Sequence, residues 1–154
     1  MKALLACGRA ARVLLVEDND DDVALTRMGF EAATFEVELQ HVGNGEACMA
    51  YLRRQGKYAD APAPDLVLLD LNMPRMDGRE VLAAIAADLH LKHLPIVVLT
   101  TSDAAQDILD AYRLGCSSYL VKPMDFDQFR KMIQGIAAYW FSLVTLAQAS
   151  SKTG

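Results

Sequence analysis

Glu17-Asp18, Asp70, Thr100-Thr101 and Lys122 each stand where an apolar run stops. Val13-Leu14-Leu15-Val16 ends in the acid pair, Leu66-Val67-Leu68-Leu69 in Asp70, Ile96-Val97-Val98-Leu99 in the two threonines, and Tyr119-Leu120-Val121 in Lys122-Pro123. In open α/β sheets ligands collect outside the carboxyl ends of the strands, so three acids, two hydroxyls and an ammonium would share one edge. Carboxylates this close repel one another unless a hard cation lies between them. Mg²⁺ fits: it takes octahedral oxygen ligands and keeps several waters, so Asp18, Asp70 and one backbone carbonyl, with Glu17 acting through water, would hold it. Lys122 would bring to the cluster the positive charge that a transferred phosphoryl group requires, and Thr100, between Asp70 and Lys122 in the expected sheet, could donate to a phosphoryl oxygen.

Each feature alone has a plain explanation. An acid pair after a strand caps the next helix, a surface lysine is solvated, and a threonine at a strand end carries no message. Tyr119 serves equally well as an edge aromatic covering the sheet or as a moving part. The convergence of all of them on one edge is what argues for a site.

The elements that must position these residues alternate strand and helix from residue 12 to about 145, which predicts a doubly wound parallel sheet with right-handed crossovers. Strands are expected at 12–16, 35–40, 66–69, 96–99 and 117–121. The second alternates apolar and polar residues and so belongs at a sheet edge. Helices are expected over 20–33 and 45–55, from Gly78 to about Leu89, from an N-cap at Asp103 to Leu114 with Gly115 as left-handed C-cap, and from Asp125 onward. The last carries Phe126, Phe129, Ile133, Ile136, Trp140 and Val144 at helical spacing and outlasts the sheet it packs on. Residues 57–64 form a loop.

With 154 residues the chain is one domain, large enough to bury roughly 68–70% of the surface its unfolded form exposes. Fifteen basic against twenty acidic side chains leave a net charge of -5, the wrong sign for a nucleic-acid binder. Three scattered cysteines suggest neither a disulfide frame nor a zinc site and fit a reducing cytoplasm. The apolar stretch before Cys7 is too short for a signal sequence, and no segment has the length of a membrane span. Residues 1–7 therefore read as a frayed end, and 149–154 as a disordered tail.

The acid pair after the first strand, LLDLNMP after the third, VVLTTS after the fourth and SYLVKP after the fifth together resemble the bacterial response-regulator receiver domain. That resemblance implies a flavodoxin-like (βα)5 fold with strand order 2-1-3-4-5, here with an extended C-terminal helix. It divides the chain into an N-terminal extension (1–11), the receiver (12–140) and a C-terminal extension (141–154). It makes Asp70 the phosphoacceptor, Glu17 and Asp18 the magnesium-holding acids, and Asn72 the donor of a carbonyl ligand. Thr100 and Lys122 become phosphoryl contacts, Tyr119 a rotameric switch, and the bond before Pro123 cis. Residues 135–146 are similar to the end of the small stand-alone receivers that partner phytochrome-type histidine kinases.

The expected activity is a phosphorylation switch: a sensor histidine kinase donates to Asp70, and without an output domain the signal leaves by protein contact. Two alternatives differ in class. A phosphohydrolase working through an aspartyl phosphate would need an acid two residues after the nucleophile, where this chain has Asn72. An unphosphorylated scaffold would have no use for Asp18, Asp70, Thr100 and Lys122 together. Finally, Met132, Tyr139, Leu143 and Leu146 form a second apolar line that the sheet cannot cover, so a homodimer through the last helix is expected.

Overall fold

The computed structural model describes residues 1–147. Five parallel strands, β1 (Ala11–Val16), β2 (Val37–Val42), β3 (Leu66–Leu69), β4 (Ile96–Thr100) and β5 (Ser118–Val121), lie in the order β2-β1-β3-β4-β5. Helices α1 (Asp20–Glu31), α2 (Gly45–Leu52), α3 (Gly78–Ala86), α4 (Ala105–Arg113) and α5 (Phe126–Ala138) alternate with them. The flavodoxin-like order expected above is the one observed.

Side chains on successive strand residues face opposite ways, and here both faces are buried. Leu14, Val16, Val67, Leu69 and Val98 pack with residues of α2, α3 and α4. Val13, Leu15, Leu66, Leu68 and Val97 pack on the other side with Val23 and Phe30 of α1 and Phe129, Ile133 and Ile136 of α5. With both faces covered, the strand ends are where polar groups can gather. Side-chain caps hold the helices that begin there: Asn19 accepts from the amides of Asp21 and Asp22, Asn44 from Ala47, Asp77 from Glu80 and Asp125 from Gln128.

Several boundaries differ from the sequence reading. Strand β2 lies two residues later than expected, which preserves the alternation while setting Val42 beside Val16. Helix α3 stops at Ala86, where Leu91 turns back onto the core, rather than near Leu89. Asp103 does not cap α4: Ala104 holds that position, and the Ser102 hydroxyl both accepts from the Ala104 amide and donates to Asp107. The N-terminus is not frayed. Ala3 pairs with Phe35 as a parallel bridge, Leu5 is buried, and Arg9 clamps Asp65 with two hydrogen bonds of 2.8 and 2.7 Å.

The last helix is the largest departure. Helix α5 ends at Ala138 and passes into a π-helical turn over Tyr139–Leu143, closed by the Val144 amide donating to the Tyr139 carbonyl at 3.0 Å. Val144 is extended, so the apolar line drawn through Leu146 is not one helical stripe. Phe126, expected in the core, is exposed, while Phe141 takes a buried place against Phe35. The tail from Ala149 lies outside the described residues.

Candidate functional site

The carboxyl ends of β1, β3 and β4 bring Glu17, Asp70 and Thr100 to one edge, all buried, with Lys122 arriving from the end of β5. The Lys122 ammonium donates to Glu17 Oε1 at 2.6 Å, Asp22 Oδ2 at 2.8 Å and Asp70 Oδ2 at 3.2 Å. Oxygens of Glu17, Asp18 and Asp70 lie within 4.8 Å of one another. Asp18 is exposed, so the group opens to solvent on its side. Three carboxylates thus bond a single ammonium, and a fourth, Asp18, lies beside two of them.

Charge and burial compete here. Burial pushes Glu17 up to about 7, ahead of the Lys122 hydrogen bond that pulls it down and the Asp70 charge that raises it further. Burial alone would lower Lys122. Its hydrogen bonds to Asp22 and Glu17 and the charge of Asp70 more than offset this, holding the ammonium above the ordinary lysine range. The pocket is short of positive charge, and its donors are hard oxygens, the set that suits a divalent cation such as Mg²⁺ or Mn²⁺.

Backbone bonds hold the acids in place. Glu17 N–H donates to Val42 O at 3.1 Å, Asn19 N–H donates to Glu17 Oε2 at 3.2 Å, and His41 Nε2 lies 2.7 Å from Glu17 O. Asp70 Oδ1 accepts from Asn72 N–H at 3.2 Å. The loop beyond is unusually crowded: a Cβ on Gly78 would lie 2.4 Å from Asp70 O, and one on Gly45 would lie 2.0 Å from Met76 O. Only glycine admits such contact, and it lets the starts of α3 and α2 press on the loop from two sides. Arg75 and Met76 take left-handed conformations there, with Arg75 O accepting from Glu46 N–H at 3.1 Å.

Thr100 is fully buried, and its Oγ1 has no hydrogen-bond partner. A buried hydroxyl left unpaired costs about 1–3 kcal/mol, so its position calls for a partner supplied from outside the resting protein. Tyr119 is half-buried on the α3–α4 side of the sheet, opposite Leu120, and its hydroxyl donates to Ser102 O at 2.9 Å. Ser102 is tied in turn to Asp107 at 2.5 Å, and Asp107 to Arg79 at 2.7 Å.

The Lys122–Pro123 bond is trans, which corrects the cis bond that the resemblance implies. In this geometry the Lys122 amide donates to Thr100 O at 2.7 Å and the side chain already reaches three carboxylates. No change of isomer is needed to aim the ammonium. Glu17, Asp18, Asp70, Asn72, Thr100 and Lys122 share this edge, while Tyr119 lies on the α3–α4 side of the sheet. Asp22 and His41 were not anticipated. The signal for Asp22 was present: it follows Asp18 by four residues at the start of a helix, where side chains lean back toward the N-terminus and so toward the strand ends.

A buried aspartate at the end of a central parallel strand, an acid group open to solvent and a strand-end lysine are arranged as in a receiver domain. Residues 13–134 match the family model described as the response regulator receiver domain, and the chain belongs to that family. It is 44% identical over 137 residues to the response regulator Rcp1 of Synechocystis sp., an alignment covering 89% of this chain and 93% of Rcp1. Among solved structures it is similar to the phosphorylated cyanobacterial phytochrome response regulator RcpA, at 42% identity and TM-score 0.87, over 90% of this chain and 99% of RcpA. The Mn²⁺-bound form of Rcp1 gives 43% identity and TM-score 0.85, over 90% of this chain and 99% of Rcp1. The protein is therefore a response-regulator signalling domain, a family that works with phosphodonor kinases, and its acidic pocket offers the oxygen donors that suit a divalent cation. Among the described residues, no helix is long and apolar enough to cross a membrane.

Proposed function

We propose that Asp70 accepts the phosphoryl group of a histidine kinase. The carrying observation is the ammonium of Lys122 held 3.2 Å from the Asp70 carboxylate, beside the unpaired hydroxyl of Thr100. An Asp70 oxygen attacks phosphorus in line, the new P–O bond forms as the P–N bond to the donor imidazole breaks, and the imidazole leaves with the electron pair. Asp18, Asp70 and the Asn72 carbonyl would hold Mg²⁺, with Glu17 through water, and the ion would neutralise charge on the phosphoryl oxygens. Lys122 and Thr100 bind those oxygens. Thr100 gains its missing partner, and its displacement favours an inward Tyr119 that gives up the bond to Ser102 O. Slow attack of water on the acyl phosphate resets the switch.

We further assign the kinase to the phytochrome type, since RcpA is a cyanobacterial phytochrome response regulator, and the exchange to the cytoplasm, where Cys7, Cys48 and Cys116 stay as free thiols. Residues 12–140 form the working body. Incubation with acetyl phosphate and Mg²⁺ tests the phosphoryl reading. One hydroxylamine-labile phosphate per chain, stable over many minutes, is expected; catalytic release without accumulation would indicate a phosphohydrolase, and no incorporation a scaffold.

The signal leaves by protein contact, and a second copy is the first partner to consider. Tyr139 and Leu143 are exposed at 53% and 76%. Tyr139 lines a groove of about 400 Å³ together with Leu120, Met132, Ile136 and Trp140. Met132 and Leu146 are half-buried against their own domain, so Tyr139 and Leu143 carry the exposed part of the contact. A two-fold partner covers both copies with one self-complementary patch. Full-length protein should sediment as a dimer at micromolar concentration, and a chain truncated after Ala138 as a monomer. A full-length monomer with and without phosphorylation would refute this.

A further inference from the structure

We infer that Asp22 is a positioning residue that gives the Lys122 ammonium a second seat, from which it leaves room for a divalent cation beside Asp70. The inference rests on reading the pocket as a cation and phosphoryl site.

A lysine ammonium has three donors, and at Lys122 three carboxylates take them. Two of these, Glu17 and Asp70, belong to the acidic group whose oxygens lie within 4.8 Å of one another. Asp22 is not in that group. It sits on the first turn of α1, its amide donating to Asn19 Oδ1 at 3.1 Å and its carbonyl accepting from Thr26 Oγ1 at 2.8 Å. Its carboxylate is 23% exposed, against 3% for Glu17 and 9% for Asp70. Asp22 therefore keeps its carboxylate in partial contact with water, outside the acidic group.

A cation bound to Asp70 and an ammonium 3.2 Å from the same carboxylate would repel each other strongly at such close range. The ammonium must then shift its weight to a carboxylate outside the cation's reach. Asp22 and Lys122 both line an open groove of about 590 Å³, which leaves the side chain space to make that movement. Without Asp22 the donors of Lys122 fall back on Glu17 and Asp70, and the ammonium competes with the cation for its own ligands. The seat also sets how easily the ammonium is released to a phosphoryl group, because leaving Asp22 costs one charged hydrogen bond.

The test is a double-mutant cycle on the full-length chain, with MnCl₂ binding followed by isothermal titration calorimetry. Asp22→Asn should weaken Mn²⁺ binding at least about fivefold when Lys122 is present. It should weaken it less than about twofold in a Lys122→Gln background, where no ammonium competes; Lys122→Met provides that background if the glutamine variant does not fold. Asp22→Glu should restore affinity. Equal weakening in both backgrounds would mean that Asp22 only adds negative potential, and no weakening would mean that it has no part in cation binding; either overturns the inference. Absence of Mn²⁺ binding by the unaltered protein would overturn the cation reading as well, so the two failures are distinct.

Discussion

Asp70→Asn should abolish phosphoryl incorporation from acetyl phosphate or a phosphorylated kinase and leave the fold standing. Asparagine keeps the shape of the side chain and an oxygen able to accept the 3.2 Å bond from Asn72 N–H. The amide oxygen is no nucleophile at phosphorus, so the loss should be complete rather than partial. Lys122 keeps its bonds to Glu17 and Asp22, at 2.6 and 2.8 Å, so the ammonium stays paired. One charge leaves a group of crowded acids, and thermal stability should hold or rise. Hydroxylamine-labile phosphate measured beside a circular-dichroism melt separates the outcomes: label persisting on a folded variant would move the acceptor elsewhere.

The second large effect is expected at the metal. Asp18 is the exposed member of the acid group, and Asp18→Asn removes a proposed cation ligand without leaving a buried charge unpaired. Loss of an outer-shell partner alone typically costs 10–100-fold in metal affinity, so loss of a ligand should weaken Mg²⁺ or Mn²⁺ binding by at least about tenfold. Phosphorylation should slow in parallel. Without metal the repulsion is relieved, and a gain of about 1 kcal/mol would raise the midpoint of thermal unfolding by about 2–4 °C in a chain of this size. Calorimetric titration and melting curves taken with and without the cation check both signs. Unchanged affinity would place the ion elsewhere.

The residues at the strand ends were legible because an apolar run that stops abruptly in a carboxylate or a lysine has few places to go in a doubly wound sheet. Asp70, Thr100 and Lys122 could be placed together before any coordinates because sheet order alone makes them neighbours. Asp22 was not, because it is one of three acids on the first turn of α1 and only the fold picks out the one that meets Lys122, and His41 was not, because its bond to the Glu17 carbonyl depends on how β1 and β2 pair. The cap of α4 falls one residue later than expected, at Ala104, whose amide is held by the Ser102 hydroxyl rather than by any side-chain cap from Asp103. The N-terminal segment defeated composition altogether. Its anchor is the Arg9–Asp65 pair, and nothing local to residues 1–7 announces a partner so distant.

The π-helical turn at Tyr139–Leu143 changes what the length of this tail means. A bond from residue i+5 back to i holds one more residue per turn than the ordinary helix, so every side chain beyond it is rotated relative to the body of α5. That rotation buries Phe141 and turns Leu143 outward. The direction in which the tail presents its apolar residues is therefore a matter of phase, and a single insertion or deletion near residue 140 would re-aim the whole surface without touching the acidic pocket. The surface that this tail offers is thus set by the register at one junction, independently of the acidic pocket at the strand ends.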